Sequence, residues 1–150
     1  MRVVVQKVKN ASVKVNNQMV GEIKTGLVVL SGYESLDSLE DISWMVHKII
    51  KMRIFDDSEK KPNLSLLDIN GEILLVSQFT LHASIKKGNR PSYIKATDSK
   101  KAKQMYDQTI SEFENILKRK ISTGKFGSDM EVSLVNTGPV TITIDSKKKE

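Results

Sequence analysis

The sequence predicts a single domain of the mixed α+β class, built from short strands and two helices. Valines recur at every second position near the start of the chain, which is the pattern of half-buried strands. Two later segments carry apolar residues at helical spacing, and most predicted strands follow one another as hairpins. A regular alternation of strands and helices would instead predict a doubly wound sheet. The 150 residues, 39% of them hydrophobic, suffice for one core.

The first elements are strands. The alternating pattern covers Arg2 to Lys9 and Ala11 to Val15, and Asn16-Asn17 then marks a turn before Met19 to Ile23. These segments predict an opening β-hairpin. The apolar run from Leu27 to Leu30 is continuous, as in a strand that is covered on both faces.

A first helix is predicted from about Ser38 to Met52. Asp37 followed three residues later by Glu40 resembles a capping box, and the apolar residues after it fall on one stripe. The polar segment Asp56 to Asn63 predicts a loop. Glu72 to Leu81 then predicts an apolar strand with a polar end.

The second half begins with a basic, flexible loop at Lys86 to Pro91. A second helix follows, which Asp98 or Ser99 caps and which ends at Gly124. Residues 146–150 are basic and predict a disordered tail. Before this tail, two strands are predicted with a tight turn between them: Met130 to Val135, Val140 to Ile144 and the turn Asn136-Thr137-Gly138-Pro139.

Composition excludes several kinds of site. The absence of cysteine removes disulfides, thiolate nucleophiles and thiolate metal centres, and only His47 and His82 could supply imidazole. The chain also lacks a Gly-rich loop with the spacing of nucleotide-cofactor sites. We therefore expect neither a metal nor a cofactor. No window is apolar for long enough to span a membrane, and we expect a cytoplasmic protein.

Positive charge is concentrated in one part of the chain. Between Ile85 and Lys125 there are eleven lysines and arginines but only four acidic residues, whereas the whole chain has a net charge of +6. Clustered cations favour a polyanionic partner because they attract phosphates. A lysine-rich surface that is simply solvated is the alternative interpretation.

Two polar segments contain residues that could catalyse a reaction or bind a substrate. Ser77-Gln78-Phe79-Thr80-Leu81 places hydroxyls, an amide and backbone N–H groups at a strand end, which suits an oxyanion pocket or an activated hydroxyl. Local hydrogen bonding is the simpler explanation of the same residues. The second segment, Asn136 to Pro139, would direct two adjacent carbonyls at an ammonium group if its X-Pro bond were cis, although most such bonds are trans.

Together with other segments, these two resemble the D-aminoacyl-tRNA deacylase family over about residues 1 to 145, in order and without large gaps. The matching segments are Met1 to Val8, Gly21 to Gly32, Met52 to Phe55, Ser65 to Asp68, Ser77 to Leu81, Lys87 to Ser92, Thr123 to Gly127 and Val132 to Thr141.

The resemblance implies β-sheets curved into a barrel-like arrangement, two main flanking helices, and a homodimer with its active site at the subunit interface. One wall would consist of Ser77, Gln78, Phe79 and Thr80, with backbone N–H groups near the last two stabilising an oxyanion. A Gly138–cis-Pro139 dipeptide from the partner would select the chirality of the substrate. The other residues that the resemblance implies near the substrate are Asn136, Thr137, Phe126 and Met130.

The same resemblance implies hydrolysis of the ester between a D-amino acid and the 3′ end of tRNA, with the terminal 2′-hydroxyl helping to activate water. L-aminoacyl-tRNA would be rejected, and glycyl-tRNA would be cleaved because glycine has no side chain to exclude. Members of the family usually carry Arg at the position of Lys7 to brace the Gly-Pro segment. Lysine lacks the planar guanidinium group with which arginine makes paired hydrogen bonds, so we expect the Gly-Pro segment to be braced more loosely. We expect the basic loop, with Lys86, Lys87 and Arg90, to contact the acceptor stem of the tRNA.

Two other functions remain open on the residues alone. A general esterase or amidase, with Thr80 or Ser77 as nucleophile and His82 as base, would cleave small esters without RNA. A non-catalytic RNA-binding module would bind RNA in a salt-sensitive manner and leave the ester intact.

Overall fold

One long strand near the start of the chain organises the sheet. In the computed structural model, which describes residues 1–149, β1 (Arg2–Val15) pairs antiparallel with β2 (Gln18–Ile23), β3 (Gly26–Gly32) and β8 (Glu131–Asp145). The remaining elements are α1 (Leu39–Lys51), β4 (Phe55–Asp56), β5 (Pro62–Leu64), β6 (Glu72–Ser77), a 3₁₀-helix (Phe79–His82), α2 (Ser99–Leu117) and β7 (Ser122–Thr123).

The main sheet is mixed and strongly curved. Its strands run in the order β2-β1-β3-β6-β7, with β8 also paired to β1, and both the β3–β6 and β6–β7 pairs are parallel. The two ends of this order approach each other, since a Cβ atom added at Gly21 would lie 2.6 Å from the carbonyl oxygen of Thr123. The predicted α+β class and the implied barrel-like sheet are therefore confirmed.

The strand β3 lies at the centre of the fold, and both of its faces are covered as the continuous apolar run predicts. Leu27 and Val29 pack with buried residues of α1 and α2. Val28 instead joins Val13 and Leu74 in a second apolar cluster. Within residues 1–149, neither helix is long and apolar enough to cross a membrane.

The helix boundaries differ from those predicted. Ser38 caps α1 and forms the capping box with Asp41, so the predicted Asp37–Glu40 pair is one residue too early. Asp98 caps α2 as predicted, but this helix ends at Leu117, where Lys118 adopts a left-handed φ of 55°. Gly124 is not the C-cap, because its N–H donates to the carbonyl of Leu75 and extends the pairing of β7 with β6 (2.9 Å).

The strands β6 and β8 also differ from the prediction. β6 stops at Ser77 rather than Leu81, because the chain then turns into the 3₁₀-helix. β8 is one strand and not two strands around a tight turn. Residues 137–140 bulge from it where the pairing with β1 shifts register, and the Asn136 side chain spans this bulge, accepting from the Val140 N–H and donating to Thr141 Oγ1 (both 2.9 Å).

Residues 146–149 of the tail that the sequence predicts as disordered lie against Met1 and α1. Ser146 is buried and its N–H donates to the carbonyl of Met1, and the Lys147 ammonium lies 2.7 Å from Asp41 Oδ2. Although partial burial opposes ionisation, hydrogen bonds from Lys147, Ser146 and Ser38 hold the pKa of Asp41 well below its ordinary value. Glu150 lies outside the described residues.

Replacing Gly26 by Ala is expected to destabilise the protein by about 3 kcal/mol or more, because the new Cβ would overlap the backbone of Glu72 in the neighbouring strand. Urea denaturation measures the change. Lys24→Ala, on an exposed side chain two residues away, is the control and should shift stability by less than about 0.5 kcal/mol. Equal stability of the two variants would show that the strands separate there without cost.

Candidate active site

A cavity of about 410 Å³ opens where the parallel strands β3 and β6 end. Ser31 and Ser77 are register partners at these strand ends, and Ala102 of α2 lines the side opposite the sheet. The carboxyl ends of parallel strands are a common place for ligand sites, because the chain leaves the sheet there and side chains and backbone groups become available. The cavity is of the size that holds a small molecule.

The backbone after β6 forms one wall. The Gln78 N–H donates to the Ser31 carbonyl (2.7 Å), which continues the strand pairing by one residue before the 3₁₀-helix begins. This turn brings Phe79 to the surface, where its side chain is 56% exposed and lines the cavity. The backbone N–H groups of Phe79 and Thr80 begin the 3₁₀-helix and have no hydrogen-bond partner within the described chain. They are therefore available to bind an oxyanion.

Within residues 1–149, no general base is hydrogen-bonded to the Thr80 hydroxyl. The hydroxyl oxygen accepts a hydrogen bond from the Gln78 amide, and the Thr80 side chain does not line the cavity. His82 is completely buried, and neither ring nitrogen has a hydrogen-bond partner among residues 1–149. The Thr80–His82 pair required by the esterase hypothesis is therefore not formed, since a general base must reach the proton that it removes.

The floor of the cavity contains a buried network of hydroxyl groups that the sequence analysis missed. The Tyr33 hydroxyl lies 3.2 Å from Ser31 Oγ and 2.9 Å from Thr109 Oγ1, and Thr109 in turn donates to the Met105 carbonyl. Burial raises the pKa of Tyr33 to about 12 in spite of these hydrogen bonds, so the phenol is neutral near pH 7. The network ties α2 to the end of β3, and no local motif signals it because Thr109 is 76 residues away from Tyr33 in sequence.

Aromatic rings form the remaining walls. Phe126 lines the cavity as the resemblance implies and packs on Tyr106, with the ring centroids 5.6 Å apart. Tyr93, which the sequence analysis also missed, meets Phe79 edge-on with the centroids 5.0 Å apart. Met130 does not line the cavity and packs behind it in the second apolar cluster.

The segment from Asn136 to Pro139 lies outside this chain's own cavity. Thr137, Gly138 and Pro139 are exposed on the bulge of β8, and the Gly138–Pro139 peptide bond is cis, which is the isomer that the resemblance implies. Lys7 is buried, with its ammonium 3.6 Å from Asp56 Oδ2. A hydrogen bond from Lys7 to the Gly-Pro segment, as the implied bracing requires, is not found within the described chain.

The three basic residues expected to contact tRNA are exposed on one loop. Lys86, Lys87 and Arg90 lie between Ser84 and Ser92, and this loop leads directly to Tyr93 at the cavity. Over residues 1–149, no three His, Cys, Asp or Glu side chains are grouped so that they could hold a metal ion.

Comparison with known proteins matches nearly the whole chain. The family model for D-Tyr-tRNA(Tyr) deacylase matches residues 4–145. A curated protein of Flavobacterium psychrophilum named D-aminoacyl-tRNA deacylase is 54% identical to this chain over 100% of both chains. Another of the same name, from Thermosipho africanus, is 52% identical over 99% of both chains.

Two solved structures share the fold. One, described as c-Myc DNA Unwinding Element Binding Protein, has a TM-score of 0.92 and 37% identity over 97% of this chain and 98% of that one. The other, described as a probable eukaryotic D-amino acid tRNA deacylase, has a TM-score of 0.84 at 18% identity, over 95% of this chain and 97% of that one. Because the family model and the curated relatives both span nearly the full sequence, this chain belongs to the D-Tyr-tRNA(Tyr) deacylase family.

Proposed function

We propose that this chain hydrolyses the ester bond between a D-amino acid and the 3′ end of tRNA. The observation that carries the proposal is that the adjacent backbone N–H groups of Phe79 and Thr80 have no hydrogen-bond partner within the described chain, and that Phe79 lines a cavity of about 410 Å³. Membership of the deacylase family and the names of the curated relatives support the same substrate. The concentration of lysine and arginine after Ile85 suits an RNA substrate.

The proposed reaction uses no protein nucleophile. Water attacks the ester carbonyl and forms a tetrahedral intermediate. The N–H groups of Phe79 and Thr80 stabilise the negatively charged oxygen of this intermediate. The 2′-hydroxyl of the terminal adenosine helps to activate the water, since His82, the candidate base, makes no hydrogen bond within residues 1–149. Collapse of the intermediate releases the free D-amino acid and the 3′-hydroxyl of the tRNA. An aminoacyl ester is already reactive, so positioning and charge stabilisation suffice.

We further propose that two copies of the chain form each site. Gly138 and Pro139 are exposed and do not line their own chain's cavity, so they are free to enter that of a partner. The bulge that carries them is held in shape by the Asn136 side chain, and Gly138 has a φ of +123° that disfavours other residues. A fixed backbone of this kind rejects an L side chain by collision, which discriminates more strongly than pocket attraction.

Near the cavity, Lys86, Lys87 and Arg90 are proposed to contact tRNA phosphates. Each is exposed on the loop next to Tyr93. Met130, which packs behind Gly124, would act on the substrate only through its neighbours. Lys7 has its charge near Asp56, so it would support the bulge through the local packing of β1 rather than by a direct hydrogen bond.

The function is tested by comparing three substrates that differ only in the esterified amino acid. D-tyrosyl-tRNA and glycyl-tRNA should both be hydrolysed, with kcat/KM at least about a hundredfold above that of L-tyrosyl-tRNA, because only the L side chain meets the backbone. Release of labelled amino acid from precipitable tRNA measures the rates. Equal rates for the two enantiomers would contradict chiral selection, and salt-sensitive RNA binding with no ester loss would identify a non-catalytic binding protein.

Thr80→Ala is expected to keep kcat within about tenfold of the wild-type value, because no base among residues 1–149 contacts the hydroxyl and the backbone N–H remains. Single-turnover hydrolysis of D-tyrosyl-tRNA measures the effect, with thermal melting as the control for folding. A loss of about a thousandfold or more in a variant that melts normally would instead establish a threonine nucleophile.

Subunit mixing tests the shared site. Gly32→Ala should disturb the cavity, because its Cβ would lie 2.7 Å from the Gln78 carbonyl oxygen, and Gly138→Ala should disturb the bulge, because its Cβ would lie 2.8 Å from Val140 Cγ2. Each variant alone should be nearly inactive. Each mixed dimer contains one site with both defects and one site with neither. Because random pairing makes about half of the dimers mixed, co-expression should recover about a quarter of wild-type activity. No recovery from mixed dimers that form normally would place both segments in the same chain's site.

A further inference from the structure

The loop beside the cavity carries exposed apolar side chains and a further cation, Lys95, for which the proposed function gives no role. The N–H of Ser84 donates to the carbonyl of Ser92, and the N–H of Ser92 donates to the carbonyl of Ser84, both at 2.9 Å. These two bonds close the base of the loop. We call residues 84–95 the basic arm.

Acidic side chains of the described residues do not neutralise the positive charge of the basic arm. Lys86, Lys87, Arg90 and Lys95 are all exposed, and none forms an ion pair with an acidic side chain of residues 1–149. The sequence contains no Asp or Glu between residues 72 and 98. Four cations without local partners favour a ligand that brings several negative charges, as a phosphate backbone does.

Apolar side chains lie among these cations. Ile94 is 90% exposed and Ile85 is 70% exposed, and Tyr93 stands edge-on against Phe79 at the cavity. A nucleic-acid duplex offers mainly phosphates and sugars to such a surface, and would leave the apolar groups facing water. Unpaired nucleotides offer phosphates together with the faces of their bases, which pack on aromatic and aliphatic side chains.

We propose that the basic arm binds the unpaired nucleotides that precede the terminal adenosine of the tRNA. Their phosphates contact Lys86, Lys87, Arg90 and Lys95, and their bases pack against Tyr93 and Ile94. The tRNA identity of this strand rests on the proposed function, whereas the preference for a single strand rests on the surface itself. Direct contact of Tyr93 with Phe79 places the bound strand where it leads into the cavity.

The test uses two changes on the arm and a matched control. Lys86→Ala/Lys95→Ala removes two cations, Ile94→Ser removes an exposed apolar side chain, and Lys24→Ala/Lys51→Ala removes two exposed cations elsewhere. Each protein is assayed with D-tyrosyl-tRNA and with the D-tyrosyl ester of a short single-stranded RNA that has the same 3′ sequence.

The lysine variant should raise KM about tenfold for both substrates and leave kcat unchanged. Its KM should also depend less on salt, with a logarithmic slope smaller by about 1.4, because each single-strand phosphate contact contributes about 0.7. Ile94→Ser should raise KM about fivefold without changing this slope. The Lys24/Lys51 control should behave as the wild type.

Three results would overturn the proposal. A defect seen with tRNA but absent with the short RNA would assign the arm to the duplex, and an unchanged KM would remove it from RNA binding altogether. Dissociation of Ile94→Ser into monomers in sedimentation would show that a second copy covers the arm. If the wild type hydrolyses neither substrate, the proposed function fails, but fluorescence anisotropy with the unesterified short RNA still compares the variants and tests the arm separately.

Discussion

The parallel contact between β3 and β6 is the constraint on which the site depends. Gly26 allows the two backbones to approach at one end, and at the other end Ser31 stands beside Ser77 and accepts the N–H of Gln78. This last hydrogen bond fixes the place where β6 stops and the 3₁₀-helix begins. The free N–H groups of Phe79 and Thr80 are thus positioned by strand pairing. The hydroxyls of Tyr33 and Thr109 then hold α2 over the same strand ends.

This arrangement assigns the chemistry mainly to the backbone. In the proposed reaction, backbone N–H groups stabilise charge and a backbone bulge excludes the wrong enantiomer, while the RNA supplies the hydroxyl that assists water. Side chains hold these backbone groups in place. Asn136 makes hydrogen bonds across the bulge, and the Gln78 amide donates a hydrogen bond to the Thr80 hydroxyl oxygen. Such a site has few reactive side chains for a sequence pattern to reveal, so the motif around Thr80 alone was equally compatible with an esterase.

The sequence predicted features that depend on neighbouring residues and missed those that depend on distant ones. The apolar run at Leu27 correctly indicated a central strand, because burial on both faces leaves no polar alternation. The apolar residues at helical spacing also correctly indicated both helices. The predicted cap of α1 is one residue too early, because Asp37 and Ser38 are both good capping residues. The cavity floor joins Ser31, Tyr33 and Thr109 across the fold, and the ion pair of Lys7 with Asp56 is equally remote in sequence. Neither contact has a local signature.

The bulge in β8 leaves the pairing with β1 intact on both sides, since Asn136 and Thr141 each keep a partner in that strand. The sheet is therefore a fixed base, and residues 137–140 are an attachment whose length and shape can change without shifting the register of any strand. Because the cavity is built from other elements, altering this attachment would, in the proposed site, change how a substrate is admitted and held while leaving the N–H groups of Phe79 and Thr80 in place. In the proposed site, substrate admission and charge stabilisation would accordingly lie in separate segments of one small chain.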